Sequence, residues 1–188
     1  MRRLVVQEFV SVDGFAAGPG GDIGFIPEAT EGDDGVAENQ MRFIDTVDTI
    51  VLGRVTYEMF AGYWPTATGD DKPFADKLNA MAKLVFSRTL DRAPWGPFDD
   101  ALISTNEPAP EVRRLKEEDG RDLVVWGSLS LAQSLADAGA VDEYQLWVLP
   151  IVLGGGEPVF ARDKPGALTL RDSTATQKGA VLLSYVPS

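Results

Sequence analysis

With 188 residues, 44% of them apolar, the chain has enough material for one domain with a substantial core and too little for two. It contains no cysteine and no histidine, which excludes disulfides, thiolate and Ser-His-Asp nucleophiles, and zinc held by either ligand type. The formal net charge of −12 repels nucleic acid and anionic membranes, so neither is expected as a partner.

Any acid–base chemistry falls to carboxylates, tyrosine, lysine, water or the substrate itself. No apolar run approaches the roughly 20 residues of a membrane span. Met1-Arg2-Arg3 has the charge of a signal-peptide start, but Gln7 and Glu8 interrupt the run that follows, so a strand is expected there and a cytoplasmic location overall. Scattered carboxylates without histidine or cysteine give no expectation of a metal site. The small acidic clusters Glu31-Gly32-Asp33-Asp34 and Asp70-Asp71 are expected in solvated loops.

In chain order, residues 3–12 form the first expected strand, followed by a glycine- and proline-rich loop over 13–25. Residues 36–46 have mainly helical spacing. A short buried strand covers 48–53, and a helix opens over 54–61. Residues 72–81 read as a helix with Pro73 in its first turn. Strands follow at 83–87 and 101–104. A polar helix covers 110–119 and stops at Gly120. A strand at 122–126, a helix at 129–138 and a longer strand at 142–149 come next, then Gly154-Gly155-Gly156. Segments 167–175 and 180–186 flank 176–179 as a hairpin. The total is about eight strands with four or five helices. Alternation of strand and helix, then strands alone, predicts an α/β fold in one domain over 1–188, with a mainly parallel sheet and an antiparallel end. Ligands on such sheets sit beyond the carboxyl ends of the strands.

Three strand–helix or strand–loop junctions at that edge carry the chemistry. In Leu52-Gly53-Arg54-Val55-Thr56-Tyr57-Glu58, a buried strand runs into glycine and then a helix start, which offers free N–H groups to a phosphate. Arg54 adds a permanently charged fork and Thr56 a hydroxyl. Phe86-Ser87-Arg88-Thr89 ends a second strand with two hydroxyls around an arginine. Trp126-Gly127-Ser128-Leu129-Ser130 is a third junction, where Gly127 lets a pyrophosphate approach the helix. Each has a plainer reading as a helix cap or strand end, Ser128 being a good N-cap residue. No GxGxxG and no P-loop occurs.

With Ser11-Val12-Asp13-Gly14 after the first strand and Val141-Asp142-Glu143 leading to Leu153-Gly154-Gly155-Gly156, these motifs resemble, in order and over nearly the whole chain, the dihydrofolate-reductase-like superfamily. Within it, the chain is similar to the group related to the reductase domain of the bifunctional riboflavin-biosynthesis deaminase/reductase. The resemblance implies a three-layer fold with an eight-stranded sheet and NADPH across the strands' carboxyl ends. Gly53, Arg54, Val55 and Thr56 would meet the cofactor phosphates. Ser87 and Arg88 would lie near the adenosine ribose and its 2′-phosphate, which favours NADP over NAD. Trp126, Gly127, Ser128, Leu129 and Ser130 would border the pyrophosphate, and the 13–25 loop would cover the nicotinamide as a lid. The chain departs from its relatives in two places. Trp126-Gly127-Ser128 stands where riboflavin reductases have Glu-Gly-Gly, and Leu129 where dihydrofolate reductases often have arginine. Glu38 is the nearest counterpart of the carboxylate that dihydrofolate reductases carry on their first helix.

On the substrate side, Asp13 is expected to accept a hydrogen bond or relay a proton, or else simply to form a turn before Gly14. Tyr57, Tyr63 and Trp64 either wall an aromatic pocket or belong to the core. Glu58 is expected in solvent, and Gln7 in the pocket. The leading expectation is an NADPH-dependent reductase of a small heterocyclic or conjugated substrate, pterin-like or related to a riboflavin intermediate. The alternatives are a non-catalytic nucleotide-binding protein and a purely structural dimer. The apolar run 146–153 and the resemblance together imply a homodimer.

Overall fold

A strand buried on both faces must lie inside a sheet covered on both sides, and β1 (Leu4–Ser11) is such a strand, buried along almost its whole length although it carries Gln7 and Glu8. A computed structural model of the chain describes residues 1–160 and 164–188. β1 there is an inner strand of an eight-stranded sheet. In chain order the elements are β1, β2 (Phe15–Ala17), α1 (Phe25–Thr30), α2 (Asp34–Ile44), β3 (Val47–Gly53), α3 (Arg54–Tyr63), α4 (Lys72–Ala80), β4 (Ala82–Phe86), β5 (Leu102–Ser104), α5 (Pro108–Lys116), β6 (Asp122–Trp126), α6 (Leu129–Asp137), β7 (Glu143–Leu149), β8 (Glu157–Pro158), β9 (Leu168–Ala175) and β10 (Val181–Pro187).

The sheet order is β5-β4-β3-β6-β1-β7-β10-β9. The first six strands are parallel, while β10 runs antiparallel to both β7 and β9. This is the expected α/β fold, a mainly parallel sheet that ends in an antiparallel hairpin. The alternation of side chains along β6 divides the core between two faces. Val124 and Trp126 pack with Ile50, Leu52, Tyr57 and Leu78 under α2–α4. Leu123 and Val125 pack with Leu4, Val6, Leu131 and Leu135 under α5 and α6. A third cluster joins Phe25 and Val36 to Trp147 and Leu149 of β7. The apolar run that suggested a subunit interface is thus largely consumed within the chain.

Some elements escape a sequence reading. The 13–25 loop contains β2, which pairs with β8 in a separate two-stranded sheet, Phe15 opposite Pro158 and Ala17 opposite Glu157. Strands of two or three residues carry no periodicity. Their approach depends on Gly156, whose φ is 143° and where a Cβ would fall 2.0 Å from the Ala17 carbonyl oxygen. Asp33 is not in a solvated loop. Its Oδ1 accepts from the Gly35 and Val36 amides as the N-cap of α2, and its Oδ2 accepts from the Thr176 hydroxyl at 2.6 Å. One buried carboxylate therefore ties the first third of the chain to the C-terminal hairpin.

Candidate functional site

The register of the parallel strands decides whether the three junctions meet. Gly53 of β3 is level with Phe86 of β4, and Val51 of β3 with Val125 of β6. All three strands run the same way, so Arg54, Ser87 and Gly127 leave the sheet along one rim.

Two of the junctions are laced together. The Gly53 amide donates to Ser128 Oγ and the Ser128 amide donates to Thr56 Oγ1, each at 2.9 Å. The lacing requires consecutive left-handed residues, Gly127 at φ 56° and Ser128 at φ 53°. A Cβ on Gly127 would meet Thr56 Cγ2 at 3.0 Å, so glycine is needed both for its φ and for space. Ser128 is the only non-glycine residue with positive φ among those described, a conformation that costs of order 1 kcal/mol or more. Gly53 has an ordinary φ of −85° and is not required for the turn. The helix-cap reading of Ser128 is corrected here. Ser128 occupies the N-cap position of α6 but does not cap it, because its hydroxyl is turned to Gly53. As a result, the Leu129 and Ser130 N–H groups at the start of α6 find no acceptor among the described residues. They are free for an anion.

The junctions open onto a cleft of about 660 Å³. Gly53, Arg54, Val55 and Thr56 line one part of it, and Trp126 through Leu131 another. One wall is aromatic. Trp64 and Phe74 have ring centroids 5.3 Å apart, Phe74 and Trp126 5.8 Å, and Phe60 and Trp64 6.0 Å. Opposite the β-strand ends, Ala16, Ala17, Gly20, Gly21 and Ile23 of the glycine-rich segment also line the cleft, the place expected of a lid. Gln7 points inward and orients the wall, since its Oε1 accepts from Trp126 Nε1 at 2.8 Å and its Nε2 donates to Gln145 Oε1 at 2.9 Å.

Other expected residues lie elsewhere. Ser87 and Arg88 share the rim but do not line the cleft. Ser87 Oγ accepts from the Thr89 and Leu90 amides, and the exposed Arg88 pairs with Glu107 at 2.9 Å. Arg54 borders the cleft with its guanidinium on Glu58, 3.0 Å from each carboxylate oxygen. Tyr57 is a core residue, not a pocket wall. It is buried against Trp95, and its hydroxyl donates to the Pro94 carbonyl at 2.8 Å. Tyr63 is half exposed and donates to Asp71. Glu38 is exposed and paired with Arg42. Asp13 does not line the cleft. Its carboxylate accepts from the Leu153 and Gly154 amides at 3.1 and 2.8 Å. The Ser11 hydroxyl, together with these amides, holds its pKa below the ordinary carboxylate value. The turn-forming reading is the one the geometry supports, with Asp13 anchoring the loop that precedes β8.

Sequence reasoning missed Phe60 and Phe74, which resemble any other apolar helix residue. It also missed Glu8, which lies buried on the cleft lining. A charged residue within an otherwise apolar inner strand was the available signal. Burial holds the Glu8 carboxyl well above the ordinary range, opposed only by the Gly127 amide.

Over residues 2–182 the chain matches the RibD C-terminal domain family. It is 34% identical to YwjB of Bacillus subtilis (strain 168), itself uncharacterized, over 98% of each chain. Among solved structures it resembles a Shewanella sp. PV-4 protein assigned to riboflavin biosynthesis, with a TM-score of 0.75 at 19% identity over 99% of each chain. It also resembles a pyrimidine reductase-like protein of Corynebacterium diphtheriae, with a TM-score of 0.67 at 17% identity over 100% of this chain and 92% of the other. The fold is the reductase-type α/β fold of these relatives, with a cleft beyond the parallel strand ends. The chain belongs to the RibD C-terminal domain family.

Proposed function

We propose that the protein is an NADPH-dependent reductase of a small flat heterocyclic or conjugated substrate, of the pterin or riboflavin-intermediate kind. The observation that carries this reading is the laced rim. Gly127 and Ser128 expose two unsatisfied amides at the start of α6, directly beside an aromatic-walled cleft. The residues fit a dinucleotide. Leu129 and Ser130 would receive the pyrophosphate, and Gly127 leaves it room. Arg54 would exchange Glu58 for a phosphate oxygen, an exchange open to it because a surface ion pair of this kind is worth only about 0.5 kcal/mol. Arg88 would do the same with Glu107 to reach a 2′-phosphate.

When bound, the nicotinamide supplies the hydride. The protein has to orient the substrate, exclude water and deliver a proton. Trp64, Phe74 and Trp126, whose neighbouring rings are tilted 51° and 50° to one another, form an apolar wall for a ring, and the 15–23 segment would close over it. The related pyrimidine reductase-like and riboflavin-biosynthesis structures favour a ring of this class. Among the described residues no helix is long and apolar enough to cross a membrane, and the reading places the enzyme in the cytoplasm. It also includes a homodimer, supported by the edge strand β9, which is exposed along nearly its whole length.

The test is a thermal-shift titration with NADPH, followed by NADPH oxidation over pterins, flavin precursors and quinones. Stabilisation by NADPH and turnover of at least one flat heterocycle are expected. Stabilisation without any turnover would point instead to a nucleotide-binding protein without catalysis, and no stabilisation would contradict both.

A further inference from the structure

Only one buried side-chain polar atom among the described residues lacks a hydrogen-bond partner, and it is Oε1 of Glu8. Glu8 is 6% exposed and lines the cleft. A partnerless buried polar atom is costly enough to require an explanation. Four other polar side chains of the cleft are already engaged. Gln7 holds Trp126 and Gln145, Gln40 Oε1 accepts from Trp147 Nε1, and Thr56 and Ser128 lace the rim. Among the described residues none that faces Glu8 offers it a counter-charge. Its neighbour across β7 is Leu146, the β6 side presents the Gly127 amide, and the first turn of α6, from Leu129 to Ala132, holds no charged residue. Among the described residues, the only other charged ones on the cleft lining are Arg54, held by Glu58, and Glu157 of β8. Burial without a counter-charge favours the neutral acid, which has an O–H to give.

We propose that Glu8 is the proton donor of the cleft, its free oxygen facing a ring nitrogen of a flat heterocycle whose adjacent carbon is the one reduced. This assignment rests on the reductase reading and narrows the substrate to a class, rings with a C=N bond. The C=N carbon accepts a hydride with its two electrons from the reduced nicotinamide nucleotide. The π pair moves onto nitrogen, an N–H bond forms there, and the Glu8 O–H bond breaks. The ring is reduced, the nicotinamide is oxidised, and the carboxylate left behind regains its proton from water when the cleft opens.

The test compares wild type with Glu8→Gln, which conserves shape and neutrality but has no acidic proton. Infrared difference spectra of the two proteins, recorded without nucleotide at pH 7, should show a carboxylic-acid carbonyl band belonging to Glu8. Pterin or lumazine, used as flat bicyclic probes, should shift or abolish that band. Absence of the band, or a band unmoved by saturating amounts of both probes, overturns the proposal whether or not NADPH is oxidised. With NADPH and 7,8-dihydropterin, Glu8→Gln should lower kcat by about 100-fold or more, while the NADPH thermal shift stays as in wild type. The wild-type kcat should fall at high pH, and that limb should vanish in the variant. Undiminished turnover by Glu8→Gln overturns the role of Glu8 and leaves the reductase reading standing. A wild type that moves the band but oxidises no NADPH with any ring sinks the reductase reading, and the proton-donor role with it.

Discussion

Gly127 is the residue on which the rim depends most. Its left-handed φ and the 3.0 Å approach to Thr56 mean that Gly127→Ala must strain the backbone or push Thr56 off the Ser128 amide. The expected cost is about 1–2 kcal/mol in stability, read by urea denaturation, together with loss of the NADPH thermal shift. Tyr57→Phe is the contrasting control. It removes a hydroxyl that serves Pro94, so about 1 kcal/mol of stability should go with NADPH binding untouched.

Lys83 is buried beneath the Trp95 ring, 4.9 Å from its centroid, and burial lowers its pKa from 10.5 to about 8. Because the unfolded chain keeps this proton to higher pH than the folded one, wild type gains stability from Lys83 as pH rises from 8 to 10.5. Lys83→Met removes that gain. The melting-temperature difference, variant minus wild type, should therefore be more positive at pH 7 than at pH 10. Glu8 has the opposite sign. Its raised folded pKa gives stability that is complete below the ordinary 4.5 and is lost as pH rises toward the folded value, a loss that Glu8→Gln abolishes.

At the scale of elements, the junctions were legible as separate strand–turn–helix signatures, and the register of β3, β4 and β6 joins them on one rim. What no local pattern contains is the lacing. Gly53 and Ser128 are 75 residues apart, and Thr56 and Ser128 72 apart. Tyr57 was ambiguous for a related reason, since nothing in its own segment says whether a helix turns that position toward the ligand edge or into the core. Glu8 was visible as an oddity in an apolar strand, but its meaning came only from the absence of a partner in three dimensions. The lacing gives an element-scale expectation. Thr56→Val and Ser128→Ala should each cost about 1 kcal/mol, and the double variant should cost less than the sum, because the two bonds hold one conformation. Full additivity would mean the junctions fold independently.

For the whole molecule, the alternation of strand and helix gave the layer order. The closure of the glycine-rich segment by β8 lay beyond it, because two very short strands from distant parts of the chain carry no signal of their own. One sheet runs from β5 to β9 through residues of both chain halves, so a single cooperative urea transition is expected. Light scattering should give twice the chain mass if the exposed β9 edge, with Leu170 half exposed, pairs with a second copy.

The most direct measurement is a crystal structure of the protein soaked with NADPH. The pyrophosphate oxygens should lie within about 3 Å of the Leu129 and Ser130 amide nitrogens, with the nicotinamide under the 15–23 segment and beside Glu8. Phosphates seated away from the start of α6, or a cleft left empty at saturating nucleotide, would contradict the account.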